Sequence, residues 1–177
     1  MTLLLLNHLS ATIPSLPEIK LLQAIHHPSN VLHLNLAKPP NFNFLPGQSI
    51  RLICPKISFF QKHDFTITSA PHEDIISLHI RIAGDWTLSL SHLLGITAQR
   101  LSSSSQSKFL PTTAAPSRRL DIPGFRIQGP YGAPSQEYIH YESLVFVAAG
   151  VGVTPFASIL KSIWSVTLTH HQIYQSR

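Results

Sequence analysis

Alternation of apolar and polar positions dominates the first half of the chain. In Val31 to Leu36 the residues Leu32, Leu34 and Leu36 fall on one face and His33 and Asn35 on the other, the period-two pattern of a half-buried strand. Glu18 to Ile25 reads as its neighbour across a "HHPSN" turn. After the "FLPGQ" turn, punctuated by Pro46-Gly47, Ser49 to Cys54 turns Ile50, Leu52 and Cys54 to one side. Phe65 to Ser69 follows, and then Ile75 to Ile82, where Ile76, Leu78, Ile80 and Ile82 alternate with Ser77, His79 and Arg81. Five short strands separated by turn signals predict an antiparallel barrel or sandwich.

The pattern then changes. Trp86 to Leu94 is predicted as a short helix with its N-cap region at Gly84-Asp85, Asp being a favoured capping residue. Residues from about 98 to 120 are rich in Ser, Thr and Pro without apolar periodicity, which predicts a disordered loop. Phe125 to Gln128 is a short strand running into "GPYG". Leu144 to Ala149 is apolar throughout, as a parallel strand covered on both faces should be. It leads through "GVGVTP" to a helix with Ile159, Leu160 and Ile163 at helical spacing and Pro155 at a suitable first position. This is the opening strand, loop and helix of an α/β unit; one unit does not make a doubly wound domain, so a truncated second domain is expected. Residues 1–17, with a four-leucine run, are too short for a span, lack the basic start of a signal peptide, and stand as an unassigned leader. No membrane span is expected elsewhere.

Composition narrows the function classes. The 177 residues suffice for one good-sized domain or one domain plus part of another, and 44% hydrophobic content gives ample core. Net charge is +5, but the basic residues are scattered singly apart from Arg118-Arg119, which argues against nucleic acid. Cys54 is the sole cysteine, so a disulfide and a Cys-based zinc site are excluded. Among eleven histidines, His26-His27 and His170-His171 are adjacent pairs, and neighbours in sequence do not share a helix or strand face, so no metal site is expected.

Three stretches carry chemistry. In "SLHIRIAGDWTLSL" the apolar face must point inward, so His79 and Arg81 are presented together on the other face, just before a helix N-terminus whose amides and dipole favour phosphate; Thr87 adds a hydroxyl. The structural alternative is an exposed strand face and an ordinary capped helix. "HDFTITSAP" combines the flat body of Phe65 with the hydroxyls of Thr66, Thr68 and Ser69, suited to a planar heteroaromatic ring or simply to a threonine-rich strand. In "AGVGVTP", Gly150 and Gly152 would let the backbone approach a diphosphate, without the lysine of a Walker loop or the third glycine of the dinucleotide fingerprint.

Taken in order and spacing, "HDFTITSAP", "LHIRIAGDWT", "GPYG" and "AAGVGVTPFASILKSIW" resemble the cytosolic dehydrogenase region of superoxide-generating NADPH oxidases, within the ferredoxin-NADP-reductase-like superfamily; ferric reductases share the layout. The resemblance covers about Glu18 to Trp164. It implies an antiparallel Greek-key FAD-binding β-barrel over 18–128, followed by the truncated start of a Rossmann-like NADPH-binding α/β domain over 129–177. It also implies that His63, Phe65 and Thr66 contact the flavin, with Thr66 near its reactive edge. His79, Ile80, Arg81, Trp86 and Thr87 would lie around the FAD, with Arg81 against the pyrophosphate. Gly129, Pro130, Tyr131 and Gly132, with Gly150, Gly152, Val153, Thr154 and Pro155, would line the nicotinamide nucleotide. Thr66 and Thr154 would orient the two rings. The implied reaction is hydride transfer from NADPH to FAD, then single electrons through haems of a membrane domain to dioxygen, on the cytosolic side of a membrane and under regulatory subunits.

The chain departs from the family pattern. Asp64 replaces the proline of the family's His-Pro-Phe-Thr, adding a negative charge expected near the FAD phosphates and freeing a backbone angle. Haem-bearing helices and the later NADPH-domain strands are not found in the chain, so weak FAD binding and an incomplete NADPH site are expected. A catalytically inactive module retained as an assembly surface is the competing reading.

Overall fold

The computed structural model describes residue 16, residues 18–96 and residues 124–175. The predicted disordered loop and nearly all of the leader lie outside them.

Among the described residues, seven strands form two sheets. β1 (Glu18–Ile19), β7 (Phe125–Tyr131), β4 (Ser49–Ile53) and β5 (His63–Thr66) make one in that spatial order, and β2 (Leu21–His27), β3 (Val31–Ala37) and β6 (Ile75–Arg81) make the other. Every pairing is antiparallel, and a bridge between Ile67 and Leu78 joins the sheets. The single strand read over Glu18 to Ile25 is therefore two, which leave Lys20 in different sheets. Hydrophobicity tracks burial along both pieces and gives no signal of such a switch. Strand β2 and strand β3 join through Ser29 and Asn30, both left-handed, as a tight hairpin connection asks.

The alternation read from sequence decides the interior. Leu32, Leu34, Leu36, Ile50, Leu52, Ile76, Leu78 and Ile80 turn inward and are buried with Ile67 and Phe125. Burial of each large aliphatic side chain contributes roughly 1.5–3 kcal/mol. Gly47, at φ +85°, sits where an added Cβ would lie 2.6 Å from Ser135 Oγ, so the "FLPGQ" turn and the 3-10 turn Pro134–His140 meet only because this residue has no side chain.

Helix α1 (Asp85–Leu93) closes one end of the barrel with Trp86 and Leu90. Its cap differs from the expectation. Gly84 is the N-cap, and the Thr87 hydroxyl accepts from the backbone N–H groups of Ala83 and Gly84 while donating to the Gly84 carbonyl. Thr87 thus does the capping that Asp85 was expected to do.

Beyond β7 the chain behaves differently from its pattern. Leu144 to Ala149 forms no strand; Val145 and Val147 are 89% and 85% exposed, and no other described strand lies beside them to supply a ladder. A buried parallel strand exists only as part of a sheet. A 3-10 turn (Gly150–Val153) leads into helix α2 (Thr154–Gln175). Gly150 to Leu168 is long and apolar enough to cross a membrane by length and composition only. Its first turns are nevertheless fixed to the barrel: Ser158 is buried and donates to the Ser69 carbonyl at 2.7 Å, Ile159 is buried, and Lys161 pairs with Glu73 at 3.1 Å.

Candidate functional site

A cavity of about 470 Å³ lies between the outer face of β6 and the entry to α2, lined among others by Thr68, His79, Arg81, Gly150, Val153 and Thr154. Outward projection of His79 and Arg81 follows from inward projection of Leu78 and Ile80. Arg81 is exposed, at the end of its strand, and makes no ion pair with a described residue. Gly150 adopts φ +55°, and an added Cβ at Gly150 or Gly152 would meet nothing within 4 Å, so this backbone borders open space. An unpaired guanidinium facing bare backbone at a cavity of this size suits a phosphate-bearing ligand.

Of the residues read from sequence as an anion site, His79 and Arg81 line the cavity. None of Gly84 to Thr87 lines the cavity. The Thr87 hydroxyl binds the backbone at Ala83 and Gly84, and Asp85 places its own negative charge in the first turn of α1. The α2 entry lines the cavity together with Arg81. There, Thr154 is buried with its hydroxyl donating to the Val151 carbonyl at 2.9 Å, and Pro155 follows in the first turn.

His79 belongs to a network of its own. The Thr68 hydroxyl donates to the Ser77 carbonyl at 3.0 Å and lies 2.9 Å from His79 Nδ1. Rings of His33 and His79 stack at 4.1 Å between centroids, and His27 lies beside both, at 5.5 Å from His33 and 5.8 Å from His79. Burial, and then the neighbouring His33 and His27, hold the His79 pKa down to about 4; burial and His27 lower that of His33. His26 and His27 alternate along β2, but His33 and His79 are cross-strand partners and His27 lies diagonal to His33, so one histidine from each of three strands joins a triangular cluster that no local reading reveals.

Other residues from the sequence reading form separate groups. His63 and Phe65 pack with Trp86, His63 and Trp86 at 4.3 Å between ring centroids. His63 Nε2 and Trp86 Nε1 are buried there with no partner among the described residues, two polar atoms that a bound group or water would satisfy. Ile80 is 1% exposed inside the core, so its side chain is withdrawn from any cofactor. Alternation imposes this, since a strand cannot present three successive residues to one face. Thr66 pairs across Ser49, whose other neighbour is Tyr131, at the end of β7 where Gly129 and Pro130 join by a cis peptide bond. Gly132 abuts Gln136.

Asp64 is paired. Arg51 grips it with two hydrogen bonds, Nε to Oδ1 at 2.8 Å and Nη2 to Oδ2 at 3.2 Å, and lies over the Tyr131 ring at 5.0 Å. The Arg51 hydrogen bond holds the Asp64 carboxyl below the usual carboxylate range.

Residues 17–135 match the family described as "FAD-binding domain". The chain belongs to that family. This FAD-binding chain is 42% identical to NADPH oxidase 3 of Homo sapiens over 147 residues, 83% of the chain and 23% of that protein. It is 41% identical to respiratory burst oxidase homolog protein A of Solanum tuberosum, over 82% of the chain and 15% of that protein. The chain therefore spans less than a quarter of the length of these curated relatives. Its fold is shared with a ferredoxin NADP+ reductase from Neisseria gonorrhoeae, at TM-score 0.52 and 18% identity, over 84% of this chain and 52% of that one. The antiparallel flavin barrel read from sequence is thereby established.

Proposed function

We propose that this chain is the flavin-carrying part of an NADPH oxidase, the protein that passes reducing equivalents from NADPH through FAD and the haems of a membrane domain to dioxygen, giving superoxide. The observation that carries the reading is Arg81, exposed and unpaired among the described residues, at a cavity whose far wall is the glycine backbone before α2. Bound FAD would supply the conversion of two-electron donation into single-electron delivery. Arg81 would hold its diphosphate, with the His63, Phe65 and Trp86 group and Thr66 serving the remainder of the cofactor. Gly129 to Gly132 with Gly150 to Pro155 would receive NADPH, and Thr66 and Thr154 would orient the two rings. The protein's part is alignment and exclusion of water; no side chain is assigned as a general base. Residues 18–128 would form the flavin unit and 129–177 the start of the nucleotide unit, with the parent protein at the cytosolic side of a membrane and open to regulatory subunits.

Titration of the chain with FAD, followed by quenching of flavin fluorescence, tests this. Arg81→Ala should weaken binding about 10- to 100-fold, the loss of charge-assisted hydrogen bonds to phosphate. Equal affinity of the two proteins would refute the role of Arg81, and lack of any binding by the folded wild-type chain would refute the site.

A further inference from the structure

The cluster of histidines has a geometry that flavin binding does not account for. His27 ends β2, His33 lies in β3, and His79 of β6 is its direct cross-strand partner. All three are half-buried on the outer face of one sheet, and each offers a ring nitrogen within 4.8 Å of the other two. His27 Nε2 and His33 Nδ1 are 3.4 Å apart. Two imidazoles on one tetrahedral zinc ion, at about 2.0–2.1 Å each, hold their nitrogens about 3.3–3.4 Å apart.

The second layer of contacts is also in place. Because the Thr68 hydroxyl spends its proton on the Ser77 carbonyl, it accepts from His79 Nδ1–H, which leaves a lone pair on His79 Nε2. His33 Nε2 sits 2.7 Å from Ser77 Oγ; donation there leaves a lone pair on His33 Nδ1, the atom facing His27. Orientation of a ligating imidazole through its other nitrogen is a general feature of metal sites. The three rings lie within 16–23° of parallel, so convergence on one ion requires them to rotate out of the stack; His79 also lines the cavity, which leaves room for a fourth, exchangeable ligand.

We propose that His27, His33 and His79 form a binding site for a borderline divalent cation of the zinc class, beside the cavity and open to it. Three neutral nitrogen donors with no carboxylate or thiolate among them select such an ion over calcium or magnesium.

Calorimetric titration of the flavin-free chain with Zn²⁺, and visible absorption of its Co²⁺ complex, supply the test. One ion per chain is expected, with a tetrahedral Co²⁺ spectrum. His33→Ala and His27→Gln should abolish this saturable site, and Ser77→Ala should weaken it about 10- to 100-fold by releasing the ring of His33. His92→Gln, an exposed histidine on α1, should change nothing. Should His33→Ala fail to fold, His27→Gln at the strand end decides alone. Absence of saturable uptake, or uptake unchanged in the folded His27→Gln protein, would overturn the proposal and make the cluster purely structural. Arg81→Ala separates this inference from the flavin reading, since it should leave metal binding intact.

Discussion

The Thr87 hydroxyl, with three hydrogen bonds to the backbone at Ala83 and Gly84, fastens the start of α1. Thr87→Val keeps the shape and removes those bonds, and should cost about 0.5–2 kcal/mol, read as a lower denaturation midpoint in urea. FAD affinity should change little beyond that loss of stability, because this hydroxyl is committed to the cap. Asp64 offers a second residue-level expectation. Its carboxylate is paired with Arg51, so Asp64→Asn should leave FAD affinity within about twofold, in the range expected for loss of an exposed pair; a gain of tenfold or more in flavin titration would mean that the charge does reach the phosphates. Both residues were conspicuous in the sequence, and the protein partners of neither were legible there. A short polar side chain satisfies whichever backbone or charged group the fold puts within reach, and that choice is not local.

Strand β6 carries the pH dependence. His79 is held near pKa 4 against an ordinary value of 6.5, chiefly by burial and then by His33 and His27 on the neighbouring strands; Lys161 of α2 acts in the same direction, and Arg81 lies on its own strand. The unfolded chain therefore binds a proton between these values that the folded chain refuses. Stability from this group is full above about pH 6.5 and falls as pH drops toward 4, and His33 adds in the same sense. Thermal melts of the flavin-free, metal-free chain should show a midpoint that declines over this interval, and His79→Gln should flatten the decline. An unchanged slope in that variant would assign the acid sensitivity to other groups. The outward placement of this histidine was legible from alternation alone; its pKa was not, because the neighbours that depress it come from other strands.

For the molecule as a whole, the inward leucines of β3 and β4 are the most sensitive positions. Leu34→Ala should destabilise the barrel by about 2–5 kcal/mol, a large part of the 5–15 kcal/mol typical of a domain, and unfolding in urea would register it. The opposite end of the chain is apolar without being covered: Val145, Val147 and, at 66% exposure, Trp164 face outward. A surface of this kind associates, so Val147→Lys with Trp164→Glu should reduce self-association of the chain in light scattering while leaving the barrel's melting unchanged. The amino-acid sequence by itself determined which face of β3, β4 and β6 is buried, where the main turns fall and which motifs announce the flavin, because period-two burial and turn chemistry act over a few neighbouring residues. Tertiary structure alone decided that Arg51 takes Asp64, that the α2 entry lines a cavity with Arg81, and that His27, His33 and His79 cluster. Those outcomes depend on strand register and on segments far apart in the chain, which no local pattern encodes.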